Sequence, residues 1–154
     1  MKKEISRRKF VVSTVGAGTG VLILPQLSAI QASGRANPIR PIIISSHSNE
    51  TGRLAMEAGW EVLRAGGNAV DAVEKAANVI EDDPEDTSVG YGGLPNENGV
   101  VQLDASFMDG RTYSAGAVAC LENIRHPSSV AKLVMQRTDH VLLVGAGALD
   151  FARA

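Results

Sequence analysis

The side chains able to do chemistry in this chain are few: one thiol, Cys120, three imidazoles at His47, His126 and His140, a carboxylate cluster at Glu81, Asp82, Asp83, Glu85 and Asp86, and the hydroxyl of Ser88 at the head of a glycine-rich loop. A single cysteine cannot close an internal disulfide, and no pair of histidines shares metal-ligand spacing with it or with each other. The acidic cluster lacks the alternating oxygen register and the glycine of a calcium loop, so it reads as a solvated helix end. Val141 to Val144 followed by Gly145-Ala146-Gly147 has the outline of a strand and glycine turn that cradles a dinucleotide phosphate. There the third small residue is replaced by Asp150, whose carboxylate would face the phosphates, which makes this a poor rival. Taken from the residues alone, Ser88 satisfies backbone groups in a tight turn, and Gly90, Gly92 and Gly93 supply backbone geometry. His126 and His140 fit loop or cap positions. Cys120 lies in an apolar context and reads as a small core residue. No cofactor and no metal are implied.

The elements that must position these groups are legible in the periodicity. Pro41-Ile42-Ile43-Ile44-Ser45 is a short apolar, β-branched run, the pattern of a mid-sheet strand covered on both faces. Met56, Trp60 and Leu63 recur on helical spacing, which makes Trp60 a core residue, and Gly66-Gly67 supplies a left-handed stop. Asn68 can cap a second helix, with Asp71 three residues on, and Ala69, Ala72, Val73, Ala76 and Ile80 form its buried stripe up to the break at Pro84. Val101, Leu103, Ala105 and Phe107 alternate with polar neighbours and lead to Asp109-Gly110, a positive-φ turn that would return Thr112 to Cys120 as a partner strand. Ser128 or Ser129 can cap a helix carrying Val130, Leu133 and Val134, and Val141 to Val144 reads as a further buried strand. The order of strands and helices gives an α/β (α+β) fold.

Composition narrows the setting. The chain has 154 residues, of which 44% are hydrophobic and only 4% aromatic, enough for one globular core built of Ala, Val, Ile and Leu. The formal charge is −2, but residues 1–32 hold five Lys/Arg against one Glu, which leaves the remainder at −6 and makes nucleic acid an unsuitable partner. Lys2, Lys3, Arg7, Arg8 and Lys9 precede an apolar run from Val11 to Leu24, and small residues follow at Ser28, Ala29, Ala32 and Ser33. That three-part pattern predicts a signal peptide over 1–32 and a periplasmic or secreted product, with Ser6-Arg7-Arg8-Lys9-Phe10 matching the twin-arginine export motif. Fourteen helical residues rise only about 21 Å against a hydrocarbon core of roughly 30 Å, which disfavours a membrane anchor. Residues 33–40 read as a linker, and 41–154 as the folded part.

Four stretches carry a family resemblance in the family's order: Gly59 to Gly93, Leu103 to Gly110, Gly116 to Pro127, and His140 to Ala152. Together they resemble the α subunit of glycosylasparaginase, an N-terminal nucleophile hydrolase. The resemblance implies a four-layer αββα sandwich, here incomplete, and a precursor that cuts itself at an Asp-Thr bond. The exposed threonine then attacks the amide joining asparagine to N-acetylglucosamine, and its own α-amine, with a pKa of about 8, accepts the hydroxyl proton. That threonine is expected beyond Ala154, so no catalytic nucleophile is assigned within this chain. Asp86-Thr87 falls where the family has ordinary loop. By resemblance Ser88 positions the nucleophile, and His47 stands where the family carries a pocket tryptophan. The resemblance also implies αβ pairs that dimerise, and a small glycoasparagine substrate. An isoaspartyl peptidase or plant-type asparaginase is the nearer alternative, although its usual His-Gly-Gly-Ala-Gly start is absent, and a non-catalytic exported fragment is the more distant one.

Overall fold

The computed structural model describes residues 40–154, so the expected export signal and nearly all of the expected linker lie outside the described residues. Two helices open the described part. Helix α1 spans Glu50–Arg64, begun by Asn49, whose side chain accepts the Gly52 N–H at 2.9 Å, and ended by Gly66 at φ +84°. Helix α2 spans Ala69–Asp82 and is capped by Asn68, which accepts the Asp71 N–H at 2.9 Å, in line with the sequence pattern.

The two helices meet through small residues. A side chain on Gly59 would lie 2.9 Å from the Ala72 carbonyl, and Ala55 and Ala72 are both buried. This corrects the place of Trp60, which the helical spacing put in the core: it is 37% exposed, because the Gly/Ala ridge and not the bulky stripe makes the contact. Val73 and Ala69, expected in the α2 stripe, are likewise exposed, whereas Ala72 and Ile80 are buried as expected.

A loop then runs to the sheet through a 3₁₀ turn at Gly90–Gly92. Gly90 sits at φ +63°, and a Cβ there would fall 2.2 Å from the Glu81 carbonyl oxygen, so the turn is pressed against the end of α2 in a way only glycine permits.

Strand β1 (Leu103–Asp109) pairs antiparallel with β2 (Ser114–Leu121), and β2 pairs parallel with β3 (Leu142–Val144), in the order β1-β2-β3. The parallel pair is bridged by α3 (Pro127–Arg137), and α4 (Gly145–Arg153) follows β3. Phe107, Val118 and Leu121 from the sheet meet Val130, Ala131 and Val134 of α3 and Ala148 of α4 in one core. Val118, Leu121 and Val134 are essentially fully buried, each contributing about 1.5–3 kcal/mol by removing apolar surface from water. The fold is α+β, with helices packed on one face of a three-stranded sheet. On the opposite face the register aligns Met108, Ala115, Ala117, Ala119, Leu142 and Val144; Met108, Leu142 and Val144 are exposed.

Five other local expectations change. Pro41–Ser45 is not a strand: Ile42 and Ile44 are 82% and 85% exposed, and the segment pairs with no strand among the described residues. β1 lies across a cleft of about 370 Å³ lined by Ile43, Ile44 and Ser45 on one side and Asp104, Ala105 and Ser106 on the other. At the hairpin, the positive φ falls on Tyr113 and not on Gly110, because a four-residue loop held by the Asp109 side chain replaces the expected two-residue turn. Cys120 is exposed, since a bulge at φ +50° turns it out of the strand while its N–H is taken by Asp104 at 2.8 Å.

The third helix starts at Pro127, at least two residues before a cap at Ser128 or Ser129 would begin it. His126 is its N-cap with no side-chain cap bond, and neither serine caps it. The buried Glu81 carboxylate takes that role from α2, accepting the Ser128 N–H at 2.9 Å and the Ser128 hydroxyl at 2.8 Å. A negative group at the helix start also suits the dipole. Finally, Leu142 and Val144 of β3 are half-exposed and only Leu143 faces the core.

Candidate functional site

The approach of the chain to α1 places His47. A Cβ on Gly52 would lie 2.3 Å from the His47 carbonyl oxygen, so only glycine in the first turn lets residue 47 cross over it. The His47 N–H is held by the Ser45 hydroxyl at 3.0 Å. From there the imidazole reaches the loop that follows α2, and its Nε2 lies 3.1 Å from Asp86 Oδ2.

Asp86 in turn organises Ser88. Its Oδ1 accepts the Ser88 N–H at 2.9 Å and also the Ser88 hydroxyl, the self-bracing geometry that a short acidic side chain gives a turn two residues on. The hydrogen bonds from the Ser88 hydroxyl and N–H, outweighing burial and helped by His47, hold the Asp86 carboxyl below the usual aspartate range. The carboxylate is therefore ionised at neutral pH, with its side chain 7% exposed. A second tie fastens the same loop to α1: the Thr51 hydroxyl donates to Asp83, whose other oxygen accepts the Glu85 N–H at 2.9 Å.

The two residues singled out from sequence, His47 and Ser88, are thus brought together by a third that was not. The sequence places Asp86 in a solvated helix end and, with Thr87, in ordinary loop. The Thr87 carbonyl accepts the Leu94 N–H at 3.3 Å, ordinary loop bonding. The missed signal was local: an aspartate two residues before a serine at the end of a helix is the pattern of a side-chain-braced turn.

These groups line a hollow of about 530 Å³ with Asn49, Glu50, Thr51, Asp83 and Glu85. It is strongly acidic, and His47 is its one basic-capable side chain. His47 also lines the cleft between Ile43–Ser46 and β1, so cleft and hollow meet at the imidazole.

The remaining candidates lie elsewhere. His126 Nε2 is 2.9 Å from Asp82 Oδ1, beside Arg125, in a surface cluster joining α2 to α3. His140 is exposed in the loop before β3. Gly145 takes φ +56° where β3 passes into the fourth helix, and Gly145, Ala146 and Gly147 lie in that helix's first turn. Among the described residues no group of three His, Cys, Asp or Glu side chains is arranged to hold a metal ion.

Comparison with known proteins gives this geometry a context. Residues 41–154 match the family described as Asparaginase. The chain is 44% identical over 150 residues to the N(4)-(beta-N-acetylglucosaminyl)-L-asparaginase of Elizabethkingia miricola, a match covering 96% of this chain and 43% of that protein. It is 51% identical over 100 residues to the isoaspartyl peptidase/L-asparaginase of Mus musculus, covering 65% of this chain and 30% of the relative. Against the plant-type L-asparaginase of Pyrococcus abyssi it is 50% identical over 101 residues, with coverages of 66% and 32%. The chain spans less than half the length of these curated relatives.

Proposed function

Since the chain belongs to the asparaginase family of N-terminal nucleophile hydrolases, the glycosylasparaginases among them, we propose that it forms the α portion of an amidohydrolase cleaving the amide between asparagine and N-acetylglucosamine. The observation that carries this reading is the hollow in which Asp86 presents Ser88 beside His47, where it meets the cleft beside β1. In the proposal, residues equivalent to those that follow the matched region in the relatives supply a β portion. Its leading strand occupies the cleft between Ile43–Ser46 and β1. An amino-terminal threonine then emerges at Ser88, where its hydroxyl attacks the side-chain amide carbonyl and its α-amine takes the proton. A second sheet from the same portion covers Met108, Ala117, Leu142 and Val144, completing a four-layer sandwich.

His47 contributes a polar wall where an indole would give apolar stacking. The substrate is a small glycoasparagine, and αβ pairs dimerise. The basic amino-terminal segment with Arg7 and Arg8 directs export through the twin-arginine route to the periplasm or beyond. Lysine at both arginines should retain the product in the cytoplasm.

A second reading, an isoaspartyl peptidase/L-asparaginase, is supported by the higher identity over the shorter stretch shared with the mouse protein. To separate the two, this chain is co-expressed with the β portion and offered N-acetylglucosaminyl-asparagine and an isoaspartyl dipeptide. The proposal expects preferential release of aspartate from the glycoasparagine, because a dipeptide's terminal carboxylate would meet the acidic hollow. Preference for the dipeptide favours the second reading, and hydrolysis of neither defeats both.

A further inference from the structure

The family resemblance gives Asp86 no role, yet both candidate residues depend on it. An ionised carboxylate can only accept hydrogen bonds. The Ser88 hydroxyl, which has a single proton, therefore spends it on Asp86 Oδ1, and the Ser88 N–H converges on the same oxygen at 2.9 Å. The other carboxylate oxygen faces His47 Nε2 at 3.1 Å, so that nitrogen carries the proton and the imidazole fixes the plane of the carboxylate. With its donor used, Ser88 has only lone pairs left to offer the hollow.

We propose that Asp86 is a positioning residue that makes the Ser88 hydroxyl a dedicated acceptor, aimed at a donor on the incoming nucleophile, with His47 as the brace that holds the carboxylate in place. This rests on the functional reading above, in which Ser88 adjoins an amino-terminal threonine. The donor it meets is the threonine's hydroxyl or its α-ammonium. Removal of Asp86 frees the Ser88 proton, and the hydroxyl can then compete as a donor for the lone pair that the α-amine needs in order to act as base. The carboxylate is shielded from water and held by partners from two separate segments, His47 ahead of α1 and Ser88 in the loop after α2.

Two measurements test this. The first needs no activity: the carboxyl carbon signal of Asp86 is followed by NMR against pH in this chain, with Asp83, Glu85, Glu50 and His47 as the charged groups that face it. Asp86 should titrate below ordinary aspartates, and Ser88→Ala should raise its midpoint while leaving that of Glu50 in place. An unchanged Asp86 midpoint in Ser88→Ala overturns the proposal.

The second is a double-mutant cycle in the assembled enzyme. Asp86→Ala should lower kcat about tenfold or more with KM within about twofold, the size expected for losing a charge-assisted bond at the reacting centre. On a Ser88→Ala background the same substitution should change kcat by less than about twofold. Multiplicative losses would show Asp86 acting independently of Ser88 and overturn the inference. If the assembled wild type hydrolyses no asparagine side-chain amide, the functional reading falls, while the titration still decides whether Asp86 controls the serine.

Discussion

Glu81 is the residue whose loss should cost this domain most for its size. It is 3% exposed, and its two oxygens accept the Ser128 N–H at 2.9 Å, the Ser128 hydroxyl at 2.8 Å and an Asn78 amide hydrogen at 2.9 Å. Since Pro127 has no N–H, the Ser128 N–H is the first unsatisfied donor of α3, and Glu81 is its partner. Hydrogen bonds to a charged group are worth about 1.5–3 kcal/mol each, and an orphaned buried donor costs about 1–3 kcal/mol. Against this, removal of the carboxylate relieves its own desolvation, which amounts to several kcal/mol. Asn78 also keeps bonds of 3.2 Å to the Ser128 and Ser129 hydroxyls. The net expectation for Glu81→Ala is a loss of about 2–4 kcal/mol, a large part of the 5–15 kcal/mol typical of a domain. Urea unfolding should report it as a lower midpoint at unchanged slope, and heating as a melting point lower by roughly 8–16 °C. Glu81→Gln keeps an acceptor for the Ser128 N–H and should lose less than half as much. The reasoning is refuted if Glu81→Ala unfolds within about 0.5 kcal/mol of the parent, the scale of a neutral surface change, or if the glutamine variant is as damaged as the alanine one.

Two further outcomes follow from the same contacts. Gly90→Ala should combine left-handed backbone strain with a Cβ 2.2 Å from the Glu81 carbonyl, whereas Gly99→Ala has the strain at φ +75° with open space around it. Urea midpoints should place Gly99→Ala about 1–2 kcal/mol below the parent and Gly90→Ala well below that, and equal losses would contradict the close packing. Lys132 ties α3 to Asp71 and Glu74 of α2; burial opposes its charge, but the hydrogen bonds and charges of those two partners prevail and raise its pKa. Its contribution is therefore fully present below the unfolded lysine value of about 10.4 and lost as pH rises through the folded value. Lys132→Met should flatten the alkaline fall in stability, and an unaltered alkaline limb would exclude the pair as its source.

What the sequence disclosed was what depends on near neighbours. Asn68 and Gly66 bound their helices because capping and left-handed stops are properties of a few adjacent residues, and β1 and β2 were legible because alternation fixes which face is buried. Pro41–Ser45 failed as a strand because its apolar run says nothing about whether a hydrogen-bonding neighbour is present. Trp60 failed because periodicity locates a stripe without telling whether bulk or a Gly/Ala ridge makes the contact. The site was half legible. His47 and Ser88 drew notice by resemblance, but their common attachment to Asp86 links residues 39 positions apart and appears only once α1 and the loop after α2 are packed.

The central claim is spatial: a β portion seats its amino-terminal residue at Ser88. A disulfide trap tests it directly. In a Cys120→Ser background, Ser88→Cys is co-expressed with a β portion whose leading threonine is replaced by cysteine, under mild oxidant. The account predicts a rapid cross-link between the two chains and none when the cysteine is placed at Met108, on the exposed sheet face. Equal cross-linking at both positions, or none at Ser88→Cys in a complex that has assembled, would contradict it.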